Sequence, residues 1–223
     1  MQLTGIGLYT FPEAARLTGI ASAQLRRWLI GYRPSSSSRK PPIWETDLAA
    51  ENLEGLSFFD LLEVRLVRHF RNLGISLQTI RLASKHAKEL FHSSHPFICQ
   101  QFLTDGKSIF AEAFEASDEN NLIDLRHKQF VINQVVRPSL YSGLEYDGDQ
   151  PQRWFPMEKI KSVVLDPKIA FGKPIVMGTG LRTQALFDAW LAENEDYRRV
   201  SLLYEVPVSA VRSAVRFEQK LPA

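Results

Sequence analysis

Between Tyr9 and Arg33 the chain reads YTFPEAARLTGIASAQLRRWLIGYR, two short helical patterns broken at Thr18-Gly19. That break limits what the segment can become. Pro12 suits the first turn of a helix, where no intrahelical donor is lost. Ala14, Ala15 and Leu17 can pack inward, and Gly19 can take the left-handed conformation that closes the helix. Ile20 then buries beside the turn, and Ser22 is placed to cap the next helix. Leu25, Trp28 and Leu29 fall at i, i+3 and i+4 and form one apolar stripe, which assigns Trp28 to the core. Gln24, Arg26 and Arg27 are left on other faces. The pattern predicts a tight helix-turn-helix, which is either the amphipathic edge of a small bundle or a helix that lies against phosphate and bases.

Charge placement bears on that choice. The formal net charge of +2 discriminates nothing, but its distribution does. Residues 1–44 hold six Arg and Lys against one acid, 45–60 hold five acids and no base, and 61–92 hold six bases and two acids. Residues 93–165 hold seven bases and ten acids, and 166–223 hold eight and seven. Positive charge therefore gathers in the first 92 residues, the footprint expected of a phosphate contact. On this basis Ser22, Gln24, Arg26 and Arg27 are expected to face a DNA groove or its phosphates. Arg33, Arg39 and Lys40, on the following loop, are expected to track the backbone or enter the minor groove.

The loop is RPSSSSRKPP, residues 33–42, which cannot be helix and reads as a hairpin tip in the position of a wing, with Ile43-Trp44 as the returning strand. Ser57 then caps a long helix through FFDLLEVRLVRHFRNLG, and Ser76 caps another through LQTIRLASKHAKELF. FICQQFLTDGKSIFAEAF predicts two strands around an Asp105-Gly106 turn. Residues 122–137 predict an amphipathic helix, LEYDGDQPQRWF a further hairpin, and residues 163–183 short strands and turns. The last forty residues predict three helices, with Asp196 as an N-cap and Pro207 standing where Ser or Thr would cap better. The expected fold is mostly α with small β hairpins. It divides into a winged helix-turn-helix over 1–92, a β-containing middle region over 93–160, and a three-helix, helix-turn-helix-like domain over 161–223.

These residues carry a family likeness. The opening YTFPEAARLTGI, the LRRW of the second helix, LSFFDL and GISLQTI together resemble a MerR-type winged helix-turn-helix. DPKIAFGKPIVMGTGLRTQALFDAW followed by YEVPVSAVRSAVRF resembles the domain of unknown function 433, with Gly180 standing where that family has Arg after Gly-Thr. The order of domains resembles the longer VapB-like antitoxins. The resemblance implies operator DNA as one partner and a PIN-type ribonuclease toxin as another. Such a nuclease gathers carboxylates around a metal, so a cationic helix is a suitable opponent. A folded surface or an internal loop, rather than a disordered tail, is expected to grip the toxin, with Arg212, Arg216 and Lys220 beside Phe217 as the best candidate. A homodimer is expected, since one helix-turn-helix engages little DNA.

Enzyme chemistry is not expected. His69, His86, His92, His95 and His127 show no metal spacing with Cys99, and His92 and His95 read as solvated groups after a helix end. The acids of 45–60 and 145–149 read as solvated loop charges rather than paired catalytic carboxylates. No nucleophile elbow occurs, and GKPIVMGTG lacks P-loop spacing. No cofactor is implied. One cysteine permits no intrachain disulfide, and no apolar run approaches the roughly 20 residues of a membrane span, so a cytoplasmic protein is expected. Beside the antitoxin stands an alternative, a MerR-like transcription regulator whose middle region senses a ligand.

Overall fold

The computed structural model describes residues 5–32, 40–117 and 125–222. Helix α1 spans Phe11–Thr18 and α2 spans Ser22–Leu29. Thr10 and Glu13 form a reciprocal capping box at the start of α1, and Gly19 closes it with φ 66°. Ser22 is not the cap of α2. Ala21 holds that position, while the Ser22 hydroxyl donates to the Phe11 carbonyl at 3.2 Å and ties the two helices together. Leu25, Trp28 and Leu29 are buried, as their stripe requires. The loop neck closes through an antiparallel bridge from Tyr32 to Lys40, with Arg33 and Arg39 outside the described residues. Ile43-Trp44 is not the returning strand. The Ile43 amide instead donates to the Trp28 carbonyl, and both side chains enter the core.

Ser57 and Asp60 cap α3 (Phe58–Asn72) in a second capping box, and Ser76 caps α4 (Leu77–Phe91). The segment after α4 departs from expectation. Pro96–Ile98 forms a single tight turn, and Phe102–Glu115 is helix α5, so the hairpin at Asp105-Gly106 does not exist. Phe102, Ile109, Phe110, Ala113 and Phe114 face one core at helical spacing, and tertiary burial overrides the turn signal. Gly106 serves close packing: a Cβ there would sit 2.7 Å from the Phe102 ring and 2.8 Å from Val136. Helices α6 (Leu125–Val135) and α7 (Pro138–Tyr141) follow, then an antiparallel hairpin of β1 (Leu144–Asp147) and β2 (Gln150–Trp154) with a bulge at Glu145-Tyr146.

Phe70 of α3 lies 4.8 Å from Phe110 and 5.1 Å from Phe97, ring centre to ring centre, both edge-on. Through these rings α1 to α3 and the segment after α4 share one hydrophobic core, running from Tyr9 to Leu165. Strands β3 (Val163–Val164) and β4 (Ile175–Val176) pair antiparallel and lead to α8 (Thr183–Ala192), α9 (Tyr197–Leu203) and α10 (Val208–Glu218). Asp196 caps α9 as expected, and Pro207 precedes α10 without a capping hydrogen bond. Leu186, Trp190, Val200, Val211 and Val215 form a second core. The fold is mostly α with two small hairpins. Among the described residues no helix is long and apolar enough to cross a membrane.

Candidate interaction surfaces

Helix α2 turns Leu25, Trp28 and Leu29 inward, which leaves Gln24, Arg26 and Arg27 exposed on its outer face. Arg26 lies over the Phe11 ring at 4.4 Å and pairs with Glu54 at 2.6 Å. Both partners of that ion pair are about half exposed, so it is worth at most about 1 kcal/mol and yields readily to a phosphate. Arg27 lies over the Tyr32 ring at 5.5 Å, and Lys40 is exposed across the loop neck. Arg81 of α4 donates to the Pro41 and Pro42 carbonyls and anchors the returning chain. Gln24, Arg26, Arg27 and Lys40 thus present donors on the same segment. Ser22, whose hydroxyl is committed to Phe11, is tied into the packing of the two helices.

Of the five acids of residues 45–60, Glu45, Glu51 and Glu54 are exposed as expected, but Asp47 is half-buried and Asp60 is buried. Asp47, Asp60 and Glu63 converge on His95, whose ring is 2 % exposed. His95 Nε2 lies 2.9 Å from Asp47 Oδ1, and its Nδ1 lies 4.0 Å from Asp60 Oδ1 and 3.9 Å from Glu63 Oε2. The Trp44 indole donates to Asp60 at 2.7 Å, the Ser57 hydroxyl to Asp47 at 2.5 Å, and the Phe97 amide to Glu63 at 3.2 Å. Burial pushes the His95 ring down, but its hydrogen bond to Asp47 and the charges of Asp60 and Glu63 outweigh this and raise it. Burial pushes Glu63 up to about 7 and raises Asp60, whereas His95 and Ser57 overcome burial at Asp47 and hold it low. The cluster is a cross-brace between the loop after α2, α3 and the turn after α4. Among the described residues no group of three or more His, Cys, Asp or Glu could hold a metal ion.

The C-terminal helices sit against α1. Tyr9 donates through its buried hydroxyl to the Gly172 carbonyl at 2.5 Å, and a Cβ on Gly172 would fall 2.5 Å from that hydroxyl. Lys173 pairs with Glu13 at 2.5 Å, and Arg16 with the buried Glu218 at 3.2 Å; Glu218 also accepts from Thr183. Replacing Glu218 by alanine is expected to destabilise the chain by about 1–2 kcal/mol. It should also speed proteolysis at the α1–α8 seam more than elsewhere. Thermal melts with limited digestion read both, and an unchanged cleavage pattern would count against the seam's role.

On α10, Arg212, Arg216 and Lys220 are exposed, with Arg212 over the Tyr197 ring at 5.6 Å. Phe217 does not stand among them on the surface. It is only 4 % exposed, because it follows Ala214 by three residues on the stripe that packs inward.

No family model matches this chain. A Mycobacterium tuberculosis protein whose name marks it as a candidate antitoxin, VapB45, is 27 % identical over 191 residues, 79 % of this chain and 80 % of that one. This chain is similar to a VapB-type antitoxin. The crystal structure of Rv2018 from Mycobacterium tuberculosis superposes with a TM-score of 0.65 at 20 % identity, covering 95 % of this chain and 99 % of that one, a likeness of fold.

Proposed function

We propose that this chain is the antitoxin of a toxin–antitoxin pair, which neutralises a PIN-type ribonuclease and represses its own operon by binding operator DNA. The observation that carries the reading is the likeness to VapB45 along 79 % of the chain. The exposed cations Arg26 and Arg27 of α2 support the DNA half: with Gln24, Arg33, Arg39 and Lys40 they would meet the groove and the backbone. Arg212, Arg216 and Lys220 supply positive charge suited to a carboxylate-rich nuclease, with Phe217 packed beneath them. A homodimer would engage two half-sites. The protein would act in the cytoplasm, which the likeness to a VapB antitoxin supports.

Replacing Arg26 and Arg27 together by alanine is expected to weaken operator binding about tenfold to a hundredfold at moderate salt. The slope of affinity against salt should fall by about two. The melting temperature should hold, because both side chains lie outside the core. Operator titrations at three salt concentrations check this. Unchanged binding would move the DNA surface to Arg212 and Arg216. Co-expression with the neighbouring gene product, followed by purification of a stable complex, tests the toxin half.

A second reading, a ligand-responsive regulator, has a cavity of about 300 Å³ in its favour, though at the seam, where Arg16, Lys173 and Arg182 face Glu13 and Glu218, and not in the middle region where sensing was expected. A purified complex with the neighbouring nuclease would decide against it.

A further inference from the structure

We propose that the partner nuclease docks in the groove between α1, the segment after β2 and the end of α10, through an amphipathic segment carrying an apolar anchor flanked by carboxylates. This rests on the antitoxin reading and adds to it the place and chemistry of the grip. The groove encloses about 490 Å³ and is walled by Leu17, Trp154, Met157, Ile160, Phe217 and Leu221. Ile160 is 57 % exposed, in an irregular segment where nothing in the fold calls for a branched apolar side chain. Lys159 and Lys220 stand on the rim, and neither makes an ion pair among the described residues. An apolar centre with a charged rim is the anatomy of a protein interface.

Charge selects the occupant. Arg65 of α3 stacks on the Trp154 ring at 4.1 Å, behind the groove wall, and the Glu158 carboxylate acts on its charge. Burial pushes Arg65 down to about 10, partly offset by Glu158, which leaves it charged at neutral pH. The one acid on the rim, Glu158, already accepts from the Ser142 hydroxyl at 2.7 Å. Two unpaired lysines on the rim of an apolar floor call for an acidic segment that also buries carbon. Nucleic acid offers the charge without the apolar anchor. A second copy of this chain fits poorly: its most exposed apolar residues, Leu202 and Leu203, share α9 with the exposed Arg198 and Arg199, and like charges would meet.

The test uses the full-length chain and the neighbouring gene product as probe, with affinity measured by calorimetry or interferometry. Ile160→Asp is expected to weaken binding about 30-fold, the loss of an interface anchor of about 2 kcal/mol. The double change Lys159→Glu with Lys220→Glu should slow association, most strongly at low salt. Leu202→Asp, on the far helix, should stay within about threefold. All four residues are exposed, and unchanged melting temperatures confirm folding. If the wild type binds and both groove variants bind equally well, the groove is overturned while the antitoxin reading stands. If the wild type does not bind the probe, the antitoxin reading itself falls and takes the groove's occupant with it. If Ile160→Asp instead converts a dimer to a monomer with the probe still bound, the groove is a contact between copies and the proposal is wrong.

Discussion

Replacing His95 by alanine is expected to cost about 3–5 kcal/mol of stability at neutral pH, since it strands buried carboxylates without their cation. Asp47 loses its 2.9 Å partner, and Asp60, itself fully buried, loses the nearest positive charge. Urea denaturation at pH 7 measures the loss. A cost under about 1 kcal/mol would mean that water reaches the cluster and replaces the imidazole. The same cluster gives the fold a pH dependence whose sign can be worked out. Glu63 has an ordinary value of 4.5 and is held at about 7 by burial, and Asp60 and His95 are also raised. For raised groups the folded chain binds more protons than the unfolded one, so their stabilisation is complete at low pH and drains away as pH climbs. For Glu63 the window runs from about 4.5 to about 7. Asp47 is held low and acts in the opposite sense, only in acid; Lys88 of α4 is the other charge that acts on Asp47 and Glu63. Stability is therefore expected to fall between pH 5 and 7.5. Glu63→Gln, which keeps an acceptor for the Phe97 amide, should flatten that fall. A variant as steep as the wild type would place the titrating proton elsewhere.

Phe70→Ala is expected to cost about 3–5 kcal/mol, the range for emptying a fully buried aromatic site. Its ring meets Phe97, Phe102 and Phe110, so the cavity would open between α3 and the middle region. Because that core is shared, residues 5–165 should still melt in one transition, shifted downward, when followed by circular dichroism and by tryptophan fluorescence. Two separated transitions would show that the first helices fold apart from the rest.

The helices that carry caps and regular stripes were legible in advance. Ser57, Ser76 and Asp196 each announce a start, and the Leu25, Trp28 and Leu29 stripe places the α2 cations outside. The middle of the chain misled because Asp-Gly is a local turn signal, while Gly106 is required by a contact with Val136, thirty positions away. The charge cluster was hidden for a related reason. Asp47, Asp60, Glu63 and His95 are spread over three elements, and no spacing rule joins them. A sign was nonetheless present. Glu63 on α3 and Glu218 on α10 both lie on the apolar stripe of their helices, and an acid in that position implies a buried partner. The groove gave no comparable sign, because its walls come from residues 17, 154–160 and 217–221.

The seam at Tyr9 and Gly172 has a geometrical consequence. Lys173 and Arg16 clasp the two sides of the same contact, so α1 and α10 share one frame of reference rather than swinging on a tether. A body seated near α10 is therefore carried at a set distance and bearing from the outer face of α2. Whether it leaves that face open or shadows it depends on its own bulk, as with a passenger on a rigid arm, and lengthening the linker on either side would change nothing while the clasp holds.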